Sequence, residues 1–556
     1  MNTHTKHQVE ALKTRGAFYT DAEVAEFLVW WAVRSPRTTV MDPSFGEGVF
    51  LQAACKRMEE LGGNPSEQVF GVEIDASAHQ SVAHELPVRG SNLILCDFFD
   101  VDPNAERRVD AVIGNPPFIR YHRFKGVARE TALGRAAREG VRLNGLTSSW
   151  APFLVHSVAM LKVGGRLAMV LPMEIGHAAY ARPLLDFLSA SFRRITFLTF
   201  RKALFPKLNE DTLLLLAEER GGEFSGFFLR DLGDAHSLAE IRSGGLSSPL
   251  RALQMNAEAT IRGEQRLIEY LVPRRARELY QTLKKQGAAR TLGELADVGI
   301  GYVTGDNSFF HLSAEEAKRT GMPAAFLRPA ILKGRSLAGL RFTRSDWKTA
   351  MESGAAGLLL SVNGEEAGLP KAVQDYLEYG EGLGVPRAFK CRTRSPWYRV
   401  PNVHVGDAFL SYMSGVTPLL AVNDARAVAT NSLHVVRLHA LTRLTAPAIA
   451  ALWQTSLTRL SAEIEGHALG GGMLKLEPTE AENVLLPSSS PGNPEMEELA
   501  GQLDLLIRRG QRDDAQTLAD DVLLRDSMGL DARDLRLLRK AADQLRTRRY
   551  SRGGRT

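Results

Sequence analysis

Cysteine is scarce. The three present, Cys55, Cys96 and Cys391, are scattered and odd in number, which excludes a disulfide framework and the paired spacing of a zinc site and suits a reducing compartment. No run of about 18 apolar residues occurs, so a membrane-spanning helix is not expected. The opening, Met1-Asn2-Thr3-His4-Thr5-Lys6-His7-Gln8, lacks the apolar core of a secretion signal. No internal repeat is evident, and no Gly-Lys-Ser or Gly-Lys-Thr phosphate loop is present. What is there is globular in character, with 44% hydrophobic and 24% charged residues. At 556 residues the chain is too long for one ordinary core, so two or more domains are expected. A net charge of +5 and a pI near 9.0 are mild overall but unevenly distributed.

The most telling stretch is Gly114-Asn115-Pro116-Pro117-Phe118, which follows Val109-Asp110-Ala111-Val112-Ile113, a run that reads as a buried strand. Asn, two prolines and an aromatic at a strand end suit chemistry on a planar, poorly nucleophilic nitrogen. The Asn115 side-chain oxygen and the Pro116 carbonyl can accept the two hydrogens of such an amine and return electron density to it. The prolines fix the backbone and keep that carbonyl out of a sheet ladder. Phe118 offers a face for a planar group. A tight turn with a hydrophobic anchor is the plain alternative, and context decides between them.

Upstream, Thr38-Thr39-Val40-Met41 reads as a strand running into Asp42-Pro43-Ser44-Phe45-Gly46-Glu47-Gly48 and then a helix to about Leu61. Gly46 and Gly48 at such a turn let a ligand approach the backbone closely. Leu51 stands where the third glycine of a dinucleotide fingerprint belongs, so the loop suits a nucleoside without a pyrophosphate. The next strand, Val69 to Asp75, delivers Glu73 beside Ile74, and an acid there can hold both hydroxyls of a ribose. A third, Asn92 to Cys96, delivers Asp97 and Phe98, an acceptor for an adenine amino group and a wall for the base. Alone, Glu73 also reads as an N-cap or solvated loop acid, and Asp97 more often as a turn residue. Four strand ends in order, each with fitting chemistry, outweigh those separate readings.

Together these motifs resemble the class I S-adenosylmethionine-dependent methyltransferases, and among them the DNA adenine-N6 enzymes of gamma order, similar to the TaqI and Eco57I groups. In that family the cofactor motifs precede the Asn-Pro-Pro-aromatic motif and a target-recognition domain is C-terminal. The likeness covers residues 10–220 well and 290–490 more loosely. Gly16-Ala17-Phe18-Tyr19-Thr20 matches the family's N-terminal motif, which places Tyr19 and Thr20 against the methionine end of the cofactor, ahead of a helix from about Asp21 to Val33. The resemblance makes Asn115, Pro116, Pro117 and Phe118 catalytic. It assigns cofactor binding to Asp42, Pro43, Gly46, Gly48, Glu73, Ile74, Asp97, Phe98 and Asn115. It makes Phe205 the second face of a target-base sandwich with Phe118, against the plain reading of hairpin packing. Two departures stand: Phe118 replaces the commoner Tyr, and Asp42 stands where TaqI-like relatives carry Glu.

The expected organisation is α/β followed by α+β. Residues 1–225 form an S-adenosylmethionine-binding catalytic domain, a class I sheet ending in an antiparallel hairpin (Ile195–Leu198 with Leu213–Leu216). Residues 226–290 are a connector with a helical stretch from Glu264 to Lys285, residues 291–490 a mixed α+β DNA target-recognition domain, and residues 491–556 a helical basic tail. A basic loop follows the catalytic motif, with Arg120, His122, Arg123, Lys125, Arg129, Arg135, Arg138 and Arg142, and it suits phosphate neutralisation; a solvated surface loop is the alternative. Further on, Lys333, Arg335, Arg392, Arg394 and Arg399 are candidates for reading bases or holding phosphates. Most aromatics there, such as Tyr302, Phe309, Phe310, Trp397 and Tyr398, read as core. Gly470-Gly471-Gly472 can admit a DNA backbone or form a flexible turn. The tail carries Arg546, Arg548, Arg549, Arg552 and Arg555, and can touch DNA, pack on the recognition domain, or be a disordered basic end.

The function so implied is site-specific adenine-N6 methylation of double-stranded DNA with the target base flipped out of the duplex. The likeness points to protection of host DNA in a restriction-modification system by a cytoplasmic, nucleoid-associated bacterial enzyme. S-adenosylmethionine is the cofactor, no metal is implied, a monomer is the default, and a cognate restriction endonuclease would act separately. Asn at the first motif position is the adenine pattern, where Ser or Asp is commoner in cytosine-N4 enzymes. Ribosomal RNA guanine-N2 and protein glutamine methyltransferases share similar motifs but are usually shorter. A modification component of a larger phage-defence machine, or a catalytically dead DNA-binding module, are further alternatives; the intact Asp42, Glu73, Asp97 and Asn115 argue against the last.

Overall fold

The computed structural model describes residues 21–104, 108–120, 123–145, 147–176, 181–205, 211–244, 252–363 and 368–552. The chain divides into two compact units, Met1–Leu271 with Tyr550–Thr556, and Val272–Arg549.

In the first unit the apolar runs pair edge to edge. The strands are β1 (Val40–Asp42), β2 (Val69–Glu73), β3 (Leu93–Leu95), β4 (Val109–Gly114), β5 (Leu161–Pro172), β6 (Phe192–Phe200), β7 (Thr212–Arg220), β8 (Gly226–Leu232) and β9 (Leu253–Gln254). They form one sheet in the order β3-β2-β1-β4-β5-β7-β6-β8-β9. β1 to β5 pair in parallel, and β7 inserts antiparallel between β5 and β6. The long buried runs of β5, β6 and β7 show no in–out alternation, as befits strands covered on both faces. The expected hairpin is present, with Ile195 opposite Ala217 and Leu198 opposite Leu214.

Five helices matter for the site: α1 (Ala22–Ala32), α2 (Val49–Leu61), α3 (Ala76–Glu85), α4 (Gly126–Arg138) and α5 (Trp150–Ala159). Asp21 and Asp75 cap α1 and α3 by accepting first-turn N–H groups. β1 begins later than its sequence run because Thr39 spends its N–H on the Asp110 carboxylate, at 2.8 Å.

The segment 226–290 does not behave as a single connector. Gly226–Leu232 lies parallel to β6 as an eighth strand and Leu253–Gln254 adds a ninth. The helical stretch near its end is broken at Pro273, with a 3-10 turn at Leu267–Leu271 and a helix at Arg274–Lys285. Proline lacks the N–H a continuing helix needs but suits a helix start.

The second unit is α+β. One four-stranded sheet joins Ala296–Ile300, Leu433–Leu438, Ala408–Ser411 and Leu420–Val422; another joins His311–Leu312, Ala356–Leu360, Leu327–Ile331 and Val428–Ala429. A three-stranded sheet holds Met413–Ser414, Met473–Lys475 and His467–Leu469. The tail is part of this body: Met496, Leu499, Leu503, Ile507 and Leu523 are buried in the same core as Phe342, Phe409 and Trp453. Tyr302, Phe309, Phe310 and Tyr398 form a second core, as expected of those aromatics.

Candidate active site

β3, β2, β1 and β4 are consecutive, parallel neighbours, so their carboxyl ends share one edge. Asp97, Glu73, Asp42 and Asn115 follow in that spatial order. At about 4.8 Å per strand the row spans roughly 14 Å, room for a nucleoside with a short chain attached. The opposite edge is closed, where Asp110 binds the Thr39 N–H and hydroxyl and Lys162 at 3.0 Å.

Asp42 is 1% exposed. Its Oδ1 accepts the Ser44 N–H at 3.0 Å, while Oδ2 and the Ser44 hydroxyl have no partner among the described residues. Burial, with the Glu73 carboxylate adding to it, pushes the Asp42 carboxyl up to about 8, against the pull of the Ser44 N–H. Gly114 is required beside it, because a Cβ there would lie 2.9 Å from Asp42 Oδ1. An acid whose folded pKa lies above its unfolded value binds a proton that the unfolded chain has released, so stability falls as pH rises between the two. The protein is therefore expected to lose stability from about pH 4 to about pH 8, by at most about 6 kcal/mol from this group. Asp42→Asn should flatten that slope in urea titrations at several pH values; equal slopes in both proteins would assign the loss to other groups.

Glu73 ties the turn together. Its Oε2 accepts the Gly46 N–H at 2.8 Å, and Oε1 those of Ile74 and Asp75 at 3.0 and 2.8 Å. Three of a carboxylate's roughly four acceptor positions are thus engaged. Among the described residues nothing lies within 4 Å of where a Gly46 Cβ would be, so the space over that residue is open to them. Gly48, at φ +81°, leads into α2, whose N-terminus no side chain caps. Ile74 is 68% exposed, a large apolar side chain left in the open next to the glycine turn.

Asp97 caps the turn after β3 by accepting the Phe99 N–H at 3.0 Å. Phe98 is buried, with ring centroids 4.7 Å from Phe153 and 4.6 Å from His156, so it packs on α5 and presents no open face. His156 is a residue the sequence did not single out. Its Nε2–H donates to the carbonyls of Phe98 and Val101 at 3.1 and 3.0 Å, and burial pushes its pKa down to about 4, so a neutral imidazole fixes the Asp97 turn.

Beyond β4, Asn115 and Pro117 are half-buried and Pro116 and Phe118 buried. Ser149 holds this loop. Its hydroxyl donates to the Pro117 carbonyl and accepts the Ile119 N–H at 2.8 Å, while its own N–H donates to Ile119 O at 3.0 Å. The backbone of Phe118 is thereby pinned on both sides. Ser149 stands at the N-cap position of α5 but makes no cap bond there. Phe205 is buried, and Pro206 to Glu210 lie outside the described residues, as do Tyr19, Thr20 and His122. Arg552 brackets the hairpin: it pairs with Asp211 and its Nε donates to Phe200 O at 2.8 Å.

The basic stretch after the motif is largely helix α4, not loop. Arg120, Arg123 and Lys125 are exposed, but Arg129 donates to Gly145 O and Arg135 to Phe99 O at 2.9 Å, so those two hold the fold. In the second unit Arg394 donates to the carbonyls of Thr304 and Val303, both at 2.6 Å, and Arg399 to Asn363 O at 3.0 Å. Gly471 and Gly472 have φ of +77° and +73°, and a Cβ on Gly471 would meet nothing within 4 Å among the described residues; Gly470 precedes them in the same turn. The tail's Arg549 is buried. It pairs with Glu463 at 2.8 Å and donates to the carbonyls of Gly472, Gly415 and Val416, the last at 2.9 Å. It is an internal clamp of the second unit, with no face left for a phosphate.

A parallel sheet of this order with one antiparallel insertion, a glycine turn after β1 and acids along its carboxyl edge, is the class I methyltransferase fold. Residues 5–177 match the family described as N-6 DNA Methylase, and residues 264–524 match the Type II methyltransferase M.Eco57I, C-terminal domain. The chain is 21% identical over 482 residues to Type II methyltransferase M.AccI of Acinetobacter calcoaceticus, covering 85% of each. It is 23% identical over 491 residues to Type II methyltransferase M.XamI of Xanthomonas campestris pv. amaranthicola, again 85% of each. Its fold is similar to the Type IIL restriction-modification enzyme MmeI in complex with DNA, with TM-score 0.55, 12% identity, and coverage of 94% of this chain and 73% of that one. The chain belongs to the DNA adenine-N6 methyltransferases of type II restriction-modification systems. No helix among the described residues is long and apolar enough to cross a membrane.

With that activity, Ser149→Ala is expected to lower kcat about tenfold, the equivalent of one or two lost hydrogen bonds, with KM for DNA changed less. An unchanged kcat would leave the order of the loop to Pro116 and Pro117 alone.

Proposed function

We propose that the row Asp97, Glu73, Asp42 and Asn115 binds S-adenosylmethionine, and that the Asn115-Pro116-Pro117-Phe118 loop presents a flipped-out adenine to it. The observation that carries this is the approach of Gly114 to Asp42, which builds the glycine turn and the catalytic loop on one shared carboxylate. The residues fit the cofactor. Among the described residues Asp42 Oδ2 and the Ser44 hydroxyl are buried without partners and the space over Gly46 is open, and Ile74, next to Glu73 in sequence, is an exposed apolar side chain. Glu73 would hold the ribose, Asp97 the adenine amino group, and Pro43 and Gly48 the backbone near the methionine end, with Tyr19 and Thr20 closing over it. When bound, S-adenosylmethionine supplies an electrophilic methyl group on a positively charged sulfur.

The chain's own residues do the rest. The Asn115 oxygen and the Pro116 carbonyl accept the two amino hydrogens and turn the nitrogen lone pair toward the cofactor edge, a gain of orientation. Phe118 and Phe205 stack on the extruded base and return about 1–3 kcal/mol per face against the few lost on unpairing. No strong base is required before attack, because the proton becomes acidic only afterwards. Arg120, Arg123, Lys125 and the Gly470-Gly471-Gly472 turn would meet the DNA backbone. The first unit transfers the methyl group and the second selects the site. The chain acts as a monomer in the bacterial cytoplasm, protects host DNA, and leaves cleavage to a separate endonuclease.

Transfer of tritium from labelled S-adenosylmethionine to unmethylated genomic DNA, beside ribosomal RNA, with nucleoside analysis of the product, tests this. N6-methyladenine in DNA is the expected product. Label confined to RNA or to protein would refute the reading.

A further inference from the structure

We propose that Phe389 is a wedge that the second unit inserts between base pairs of the duplex while it reads its site, with Lys390 and Arg392 holding the flanking phosphates. The inference rests on the reading of duplex DNA as substrate. Phe389 is 63% exposed, an unusual position for a phenyl ring, which ordinarily buries. It is held out by its backbone. The N–H groups of Cys391 and Arg392 both donate to Ala388 O, at 2.9 and 3.0 Å, which closes a tight turn with Phe389 and Lys390 at its tip.

The base of that turn is packed. Cys391 is fully buried, and its Sγ lies 3.6 Å from Thr304 O. Gly305 passes so close that a Cβ on it would lie 2.8 Å from the same sulfur. The two bonds from Arg394 to Val303 and Thr304 fasten the segments together. The ring therefore projects from a fixed support.

Charge selects the occupant. Lys390 Nζ and Arg392 Cζ lie 5.6 and 5.2 Å from the Phe389 ring centroid, within cation–π range. No acidic residue occurs between Glu381 and Asp407. Arg394 and Arg399 are engaged with carbonyls, while Arg387, Lys390 and Arg392 are exposed. An apolar ring flanked by cations, with no acid along that stretch, matches a stacked base step between two phosphates. A protein partner would ask for a wider apolar surface and some opposite charge.

The test uses the full chain and duplexes carrying the mapped methylation site, with 2-aminopurine scanned through positions other than the target adenine. Wild-type protein is expected to brighten the probe at one step, and Asn115→Ala to do the same, because the wedge is separate from base capture. Phe389→Ala should abolish the signal and raise Kd about tenfold or more, Phe389→Trp should retain both, and Lys390→Gln with Arg392→Gln should reduce the salt slope of binding by about two. Unchanged Kd and probe signal in Phe389→Ala overturns the wedge, as does a defect confined to association with another protein. If the wild type methylates DNA while Phe389→Ala behaves normally, only the wedge fails; if the wild type binds no duplex, the substrate reading falls with it.

Discussion

Asn115→Ala is expected to cost methyl transfer about 100- to 1,000-fold, the scale on which removal of one preorganised polar group acts at a reacting centre. The loss should fall on kcat. Asn115 follows a strand end fixed by the Gly114–Asp42 approach and leads into two prolines and the Ser149 bonds, so its backbone is held in place before substrate arrives. Alanine leaves that frame intact. The S-adenosylmethionine affinity, read by calorimetry, should fall far less than kcat, because Asp42, Glu73 and Asp97 still hold the cofactor. Single-turnover transfer on a mapped duplex separates the steps. A loss confined to KM would make Asn115 a binding residue and would remove the argument from orientation.

Arg549→Met is expected to destabilise the second unit by about 3–5 kcal/mol, the cost of leaving one member of a buried ion pair without its partner. Glu463 is the member left behind. Burial already pushes its carboxyl above the usual range, and Arg549 opposes that shift. The carbonyls of Gly415, Val416 and Gly472 lose their donor at the same time. Arg549→Met combined with Glu463→Leu should recover much of the loss, since an apolar pair of similar volume can replace a buried ion pair. Urea unfolding followed by the fluorescence of the buried Trp453 reads both variants. A single substitution costing less than about 1 kcal/mol would mean that water reaches the pair.

Much of the first unit was legible because its signals are local. A β-run, a turn of glycines or prolines and an acid at the strand end lie within a dozen residues of one another, and parallel pairing then brings Asp97, Glu73, Asp42 and Asn115 to one edge. What the sequence hid depends on distant partners. Phe98 reads as a base wall, but Phe153 and His156, more than fifty positions away, enclose it. Ser149 carried no signal in the sequence, and only the fold brings it to Pro117. Arg129, Arg135 and Arg394 read as candidate phosphate ligands, since sequence shows a charge and not the carbonyl it meets, and for Arg549 the sequence left DNA contact and packing on the recognition domain equally open. In the second unit the strands are short and pair out of order, so periodicity gave its class but not its sheets.

The Arg549 clamp also sets a timetable. Glu463 leaves the ribosome 86 residues before its partner. At about 5–20 residues per second that interval is roughly 4–17 s. Throughout it the helix Ser456–Glu465 carries an uncompensated carboxylate that must stay in water, so the interior around it stays open. The first unit's sheet, from Val40 to Gln254, has by then all been made. During its birth the protein is therefore a first-unit sheet trailing an unclosed second unit, with the hydrophobic faces around Trp453 still open to water.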